Sequence, residues 1–140
     1  MKRTTAELMS EIKEAENVDE FIRSNGEELC RRSVSELLNE IMDSRGLARS
    51  RIIEESQINR VYAYQLFSGI RATPKRDKLL ALLIAAGLNI GEIQDFLKKT
   101  GYSQLYVRNE RDCIIIFGIE NGQTVIEINR ELFKHSMETL

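Results

Sequence analysis

Apolar residues recur along this chain three and four positions apart, and polar caps and glycines divide the runs. Thr4-x-x-Glu7 has the form of a capping box and leads into Leu8, Met9 and Ile12 at helical spacing. Val18 to Ser24 reads as a short second helix, with Phe21 and Ile22 apolar and Asn25-Gly26 as its stop. A third short turn is predicted over Glu27 to Arg32. Ser33-x-x-Glu36 repeats the capping-box form. It opens a helix with Val34, Leu37, Leu38, Ile41 and Met42 on one face, ending at Arg45-Gly46. Two short helices follow, Arg49 to Ser56 and Arg60 to Ser68. Gln57-Ile58 makes the turn between them, Asn59 caps the second and Gly69 stops it. Thr73-Pro74 predicts a helix from Lys75 to Ala86, because Pro suits the first helical turn. Asn89 caps Ile90 to Lys99, and Asn109 caps Glu110 to Glu120. Thr124-x-x-Glu127 opens a last helix from Val125 to about Met137. The pattern predicts an all-α chain.

The last third looks like a copy of the helix pair before it. An ungapped shift of 35 residues places Arg76-Asp77 on Arg111-Asp112, Ile84 on Ile119 and Gly87 on Gly122. It also places Glu92-Ile93 on Glu127-Ile128, Leu97 on Leu132 and Lys99 on Lys134. Eight identities in 27 aligned positions, with the helix stop in register, point to a duplicated helix hairpin stacked on the first. The two Arg-Asp dipeptides read as repeated structural ion pairs at helix starts, where Asp suits the helix dipole.

Composition removes several classes. The 140 residues are 42% hydrophobic, enough to bury a core and to exclude wholesale disorder. The longest apolar stretch, Leu79 to Leu88, is too short to span a bilayer. The first residues lead into an acidic amphipathic segment and not an apolar signal core, so a cytoplasmic protein with no membrane partner is expected. Cys30 and Cys113 lie far apart in no C-x-x-C unit and read as small buried apolar residues or free thiols. His135, the one His, has no nucleophile or further metal ligand beside it in sequence. The glycines are helix stops and form no phosphate-cradling loop. No catalytic residue, metal or cofactor is therefore expected, and the chain reads as a non-enzyme. Of Tyr62 and Tyr64, one should be exposed and one buried, since neighbours on a helix face different directions. Tyr102 and Tyr106 should pack the ends of the linker between hairpins.

The net charge of −2 hides an uneven distribution. Residues 1–44 carry net −5, residues 45–78 net +5 and residues 79–140 net −2. The basic excess of Arg45, Arg49, Arg51, Arg60, Arg71, Lys75, Arg76 and Lys78 falls on the two short helices and their exit. Such a cluster can neutralise several phosphates, or form a basic face that is solvated or paired with the acidic N-terminal segment.

Two short helices joined by a tight turn have the size of a helix-turn-helix. The segment from Leu47 to Gly69 resembles the Cro/phage-repressor (XRE-like) helix-turn-helix family, most specifically in Leu66-Phe67-Ser68-Gly69-Ile70-Arg71-Ala72. The following helix from Pro74 to Leu83 and Gly87-Leu88-Asn89 are similar to that family's fourth helix and its exit. The resemblance covers about Val34 to Leu97. It implies a lambda-repressor-like bundle over residues 33–101, preceded by an acidic helical segment, 1–32. A C-terminal helical hairpin, 102–140, would pack on the same core. It also implies roles. Arg49 would contact phosphate or support a base contact. Arg60, Val61, Tyr62 and Gln65 would project toward base edges, and Ser68 and Arg71 would sit near the backbone. The side chains suit this chemistry, with Arg a fork for guanine and Gln for adenine. Ile52, Ile58, Leu66 and Phe67 would be core.

The chain departs from the family at two points. Ile53 stands where a small residue is usual, and should push the helix pair apart. Gln57 stands where Gly is common, and a left-handed turn there costs about 1 kcal/mol. The expectation from these readings is a sequence-specific double-stranded DNA-binding protein, a transcriptional regulator that inserts residues 60–68 into the major groove as a homodimer. The alternative is a helical protein-interaction or adaptor module on the same scaffold that no longer reads DNA. In either case a protein partner could dock on the N-terminal or C-terminal helices.

Overall fold

The computed structural model describes residues 3–25 and 32–140, which form nine α-helices and no strand among the described residues. The expected turn over Glu27 to Arg32 falls almost wholly outside them, as does Cys30. The chain divides into two compact units, Met1–Arg31 and Arg32–Leu140. In the first, α1 (Thr5–Glu14) and α2 (Val18–Ser24) form a short pair. The Asn25 amide donates to Glu11 Oε1 at 3.0 Å and to the Phe21 carbonyl at 3.1 Å, tying the end of α2 to α1. Arg3 pairs with Glu11.

The second unit contains α3 (Val34–Arg45), α4 (Arg49–Ser56), α5 (Arg60–Ser68), α6 (Arg76–Ala85), α7 (Ile90–Lys99), α8 (Glu110–Glu120) and α9 (Val125–Lys134). One hydrophobic core runs through all seven, from Val34 to Leu140, with no break at 101/102. Leu79 to Ile84 are buried all round α6, which packs against both α4 and α9. That explains why α6 has no polar face. Caps set the boundaries. Asn89 with Glu92 and Thr124 with Glu127 form full capping boxes. At Thr4 and Ser33 the side chain accepts the amide three residues on. The α6 helix begins one residue later than predicted, and α9 ends at Lys134, not near Met137.

The offset of 35 residues persists in the tertiary contacts. Arg76 donates to Asp112 and to the carbonyls of Ser103 and Gln104. Arg111 donates to Asp77 and to the carbonyls of Glu138 and Thr139, each 35 positions on from its counterpart. The Leu105 amide donates to Gln94 Oε1 at 2.7 Å, and the Leu140 amide to Asn129 Oδ1 at 2.8 Å. The Arg–Asp pairs cross from one hairpin to the other, Arg76 to Asp112 and Arg111 to Asp77. Such reciprocity is the mark of a two-fold relation between two like units. Here it joins the α6–α7 hairpin to the α8–α9 hairpin.

One local expectation is corrected. Tyr102 is half-buried and donates from its hydroxyl to the Pro74 carbonyl at 2.6 Å, but Tyr106 is exposed and lies outside the residues packed on the core. Cys113 is an exposed free thiol, one of the two readings its isolation in sequence allowed. Among the described residues no helix is long and apolar enough to cross a membrane.

Candidate nucleic-acid interface

The short helices α4 and α5 are joined by Gln57, Ile58 and Asn59. Gln57 adopts the left-handed conformation, φ 64°, and its side-chain amide donates to the Glu54 carbonyl at 3.0 Å. The turn thus has the backbone shape for which glycine is usual, with a side chain that returns one hydrogen bond. Ile58 is buried and anchors the turn from below. Asn59 caps α5 by accepting the Tyr62 amide at 3.1 Å. Ile53, expected to act as a wedge, is buried to 3% exposure in the core, and α4 and α5 remain in contact.

A polar clamp fixes α5 to α3. The Asn39 amide nitrogen donates to the Phe67 carbonyl at 2.9 Å. Its oxygen accepts both Nε and Nη2 of Arg49, at 3.0 and 2.7 Å. Arg49 also reaches Asp43 at 3.2 Å and lies 5.7 Å from the Phe67 ring centre. Its Nε and Nη2 join α3, α4 and α5, an arrangement suited to the supporting role that was one of its two expected roles, and its Nη1 has no partner among the described residues. Gly69 ends α5 at φ 84°, where an added Cβ would also meet Ser35 Oγ at 3.2 Å.

With Ala63, Leu66 and Phe67 buried, the opposite face of α5 points outward. It presents Arg60, Val61 and Ser68, all exposed, with Gln65 at its edge. Four of the predicted contact residues therefore share one face. Tyr64, the exposed member of the Tyr62/Tyr64 pair at 44%, belongs to the same face, four residues from both Arg60 and Ser68. Tyr62 does not project freely. It is half-buried, and its hydroxyl accepts the Lys75 amide at 3.0 Å. Arg71 lies over the Tyr62 ring, 4.3 Å from its centre, and donates to Gln65 Oε1. Tyr62 and Tyr102 together hold the Pro74–Lys75 peptide at the entry to α6. Burial, and then the neighbouring Tyr62, raise the Tyr102 phenol above its usual 10.0.

The cations separate into two groups. Arg45 pairs with Glu92, Arg51 with Glu55 and Arg76 with Asp112. Arg60, Arg71, Lys75 and Lys78 have no carboxylate within 4 Å among the described residues. Among those residues, too, no group of three or more His, Cys, Asp or Glu could hold a metal ion. No protein-family model, curated protein or solved structure matches the chain.

Proposed function

We propose that this chain is a sequence-specific double-stranded DNA-binding protein, a transcriptional regulator whose residues 33–101 act as a phage-repressor-like helix-turn-helix. The observation that carries this reading is the outward face of α5. Arg60, Val61, Tyr64, Gln65 and Ser68 lie together on a helix without a single acidic residue, fixed by the Asn39–Arg49 clamp. Such a face offers hydrogen-bond donors and apolar contact to base edges. Arg60, Lys75 and Lys78, which face no carboxylate among the described residues, supply charge for the backbone. A single short helix reads few base pairs, so a homodimer on a two-fold site fits this function.

The test is a mobility-shift titration of the full chain against random-sequence duplex at several salt concentrations. Binding should appear at low salt, weaken as salt rises, and weaken further with Arg60→Ala and Tyr64→Ala combined. No binding at low salt, or binding indifferent to that double change, rejects the proposal.

One observation favours a second reading, an adaptor module that docks protein. On the C-terminal hairpin Phe117 is 62% and Phe133 77% exposed, with Ile126 near them in sequence also open. A chain that binds no duplex at low salt would leave this reading in place.

A further inference from the structure

The side of α5 where Arg71 lies back on the helix has a chemistry that the residue types alone do not reveal. The Arg71 Nε and Nη2 both donate to one atom, Gln65 Oε1, at 3.2 and 3.0 Å. The Arg71 backbone amide donates to the Gln65 carbonyl at 3.2 Å, which keeps the side chain within reach. The guanidinium stacks on the Tyr62 ring, and that ring is itself held by the Lys75 amide. Arg71 is thus fixed by a ring, an amide oxygen and its own main chain.

This arrangement changes what Gln65 offers. A free glutamine presents one acceptor and two donors side by side, which matches the N6 and N7 edge of adenine. A guanidinium has no acceptor, so only the amide oxygen can face Arg71, and the orientation of the Gln65 amide is settled. That oxygen already takes two charge-assisted hydrogen bonds. The groups without a partner among the described residues are Gln65 Nε2 and Arg71 Nη1, and both are donors.

Guanine presents two major-groove acceptors, N7 and O6, and no donor there. Adenine and cytosine each place an amino group on that edge, and thymine a methyl beside its single acceptor. We infer that Gln65 and Arg71 act as one donor-only unit selecting guanine, and that Arg71 is the specificity-determining residue that turns Gln65 away from adenine. The inference rests on the DNA-binding reading above. A phosphate also accepts only, but a phosphate contact carries no sequence preference, and the unit sits on the flank of the helix proposed to enter the groove.

The experiment is selection of the full chain, wild type and Arg71→Ala, against a randomised duplex pool, followed by titration of the enriched sites. The wild type should enrich a site containing guanine. Arg71→Ala should convert at least one guanine position to adenine, a swing of about tenfold, and leave the other positions unchanged. A measurement on the wild type alone checks the same point if the variant fails to fold. A guanine analogue with carbon in place of N7, at one position of the enriched site, should weaken binding about tenfold. Guanine preferences that all survive Arg71→Ala, or a loss equal on every sequence, overturn the inference while DNA binding stands. A wild-type chain that enriches no site overturns it as well, and one that binds no duplex at low salt removes the DNA reading beneath it.

Discussion

Gln57 shows how one residue can satisfy a turn that disfavours it. Its φ of 64° is a conformation in which a side chain costs about 1 kcal/mol relative to glycine. The hydrogen bond from its amide to the Glu54 carbonyl offsets part of that cost. Gln57→Gly should therefore stabilise the fold by roughly 0.5–1 kcal/mol, read as a higher urea midpoint at unchanged slope. Glu127 gives a second residue-scale prediction. Its carboxylate accepts the Thr124 amide at 3.0 Å and the Thr124 hydroxyl at 3.1 Å. The backbone hydrogen bond first, then the hydroxyl and nearby Arg130, hold its pKa below the usual 4.5. A depressed carboxylate contributes stability above its unfolded pKa, and that contribution disappears as pH falls through the folded value. Glu127→Gln keeps the acceptor and removes the charge. Wild type should melt higher than this variant at neutral pH, and the difference should shrink as pH drops below 4.5. A difference that stays constant through that window would assign the cap to geometry and not to charge.

At the scale of elements, the helices were legible because their ends are written locally. Asn59, Asn89, Asn109 and Thr124 each bond an amide three residues on, so a short window of sequence carries the signal. The repeated pattern of the two hairpins was legible for a related reason, since a fixed offset preserves their apolar positions. What the sequence did not show was the partner of each charge. Arg76 is followed by Asp77 in the chain but pairs with Asp112, and Arg111 pairs with Asp77. Only the packing of one hairpin on the other creates that exchange. The site follows the same division. The outward set on α5 follows from a helical wheel, on which Tyr64 belongs. The burial of Tyr62 and the occupation of Arg49 depend on Lys75 and Asn39, which lie 13 and 10 residues away. The crossed pairs are also unequal. Asp112 is the more buried carboxylate, 10% exposed against 30% for Asp77. Arg76→Ala leaves it short of its charged partner and should cost about 3 kcal/mol. Arg111→Ala should cost about 1–2 kcal/mol, because Asp77 retains more water. Urea denaturation of the two variants would test the order, and a larger loss for Arg111→Ala would reverse it.

Across the whole molecule, the slight acidity of the chain says little about a polyanionic partner, because charge is sorted by segment and then again by pairing. Residues 45–78 contain eight cations, yet Arg45, Arg51 and Arg76 face carboxylates and Arg49 is held by Asn39 and Asp43. That leaves Arg60, Arg71, Lys75 and Lys78. Each phosphate neutralised on duplex DNA contributes about −0.9 to the slope of log Kobs against log salt. If all four remaining cations reach phosphates, the slope per bound chain should be about −3.6, and shallower if Arg71 or Arg60 contacts bases instead. A dimer doubles the slope of the complex without changing the value per chain, so native mass of the complex must be measured beside the titration. A value per chain near about −7 would require all eight cations to reach phosphate. Arg49 would then have to leave Asn39, and Arg76 would have to leave Asp112. The same slope would thus refute the division between cations that hold the fold and cations that face the partner. A slope that falls to half when Lys75 and Lys78 are both changed to Ala, with the fold intact, would place the backbone contact at the entry to α6, beside the Tyr62–Arg71 stack.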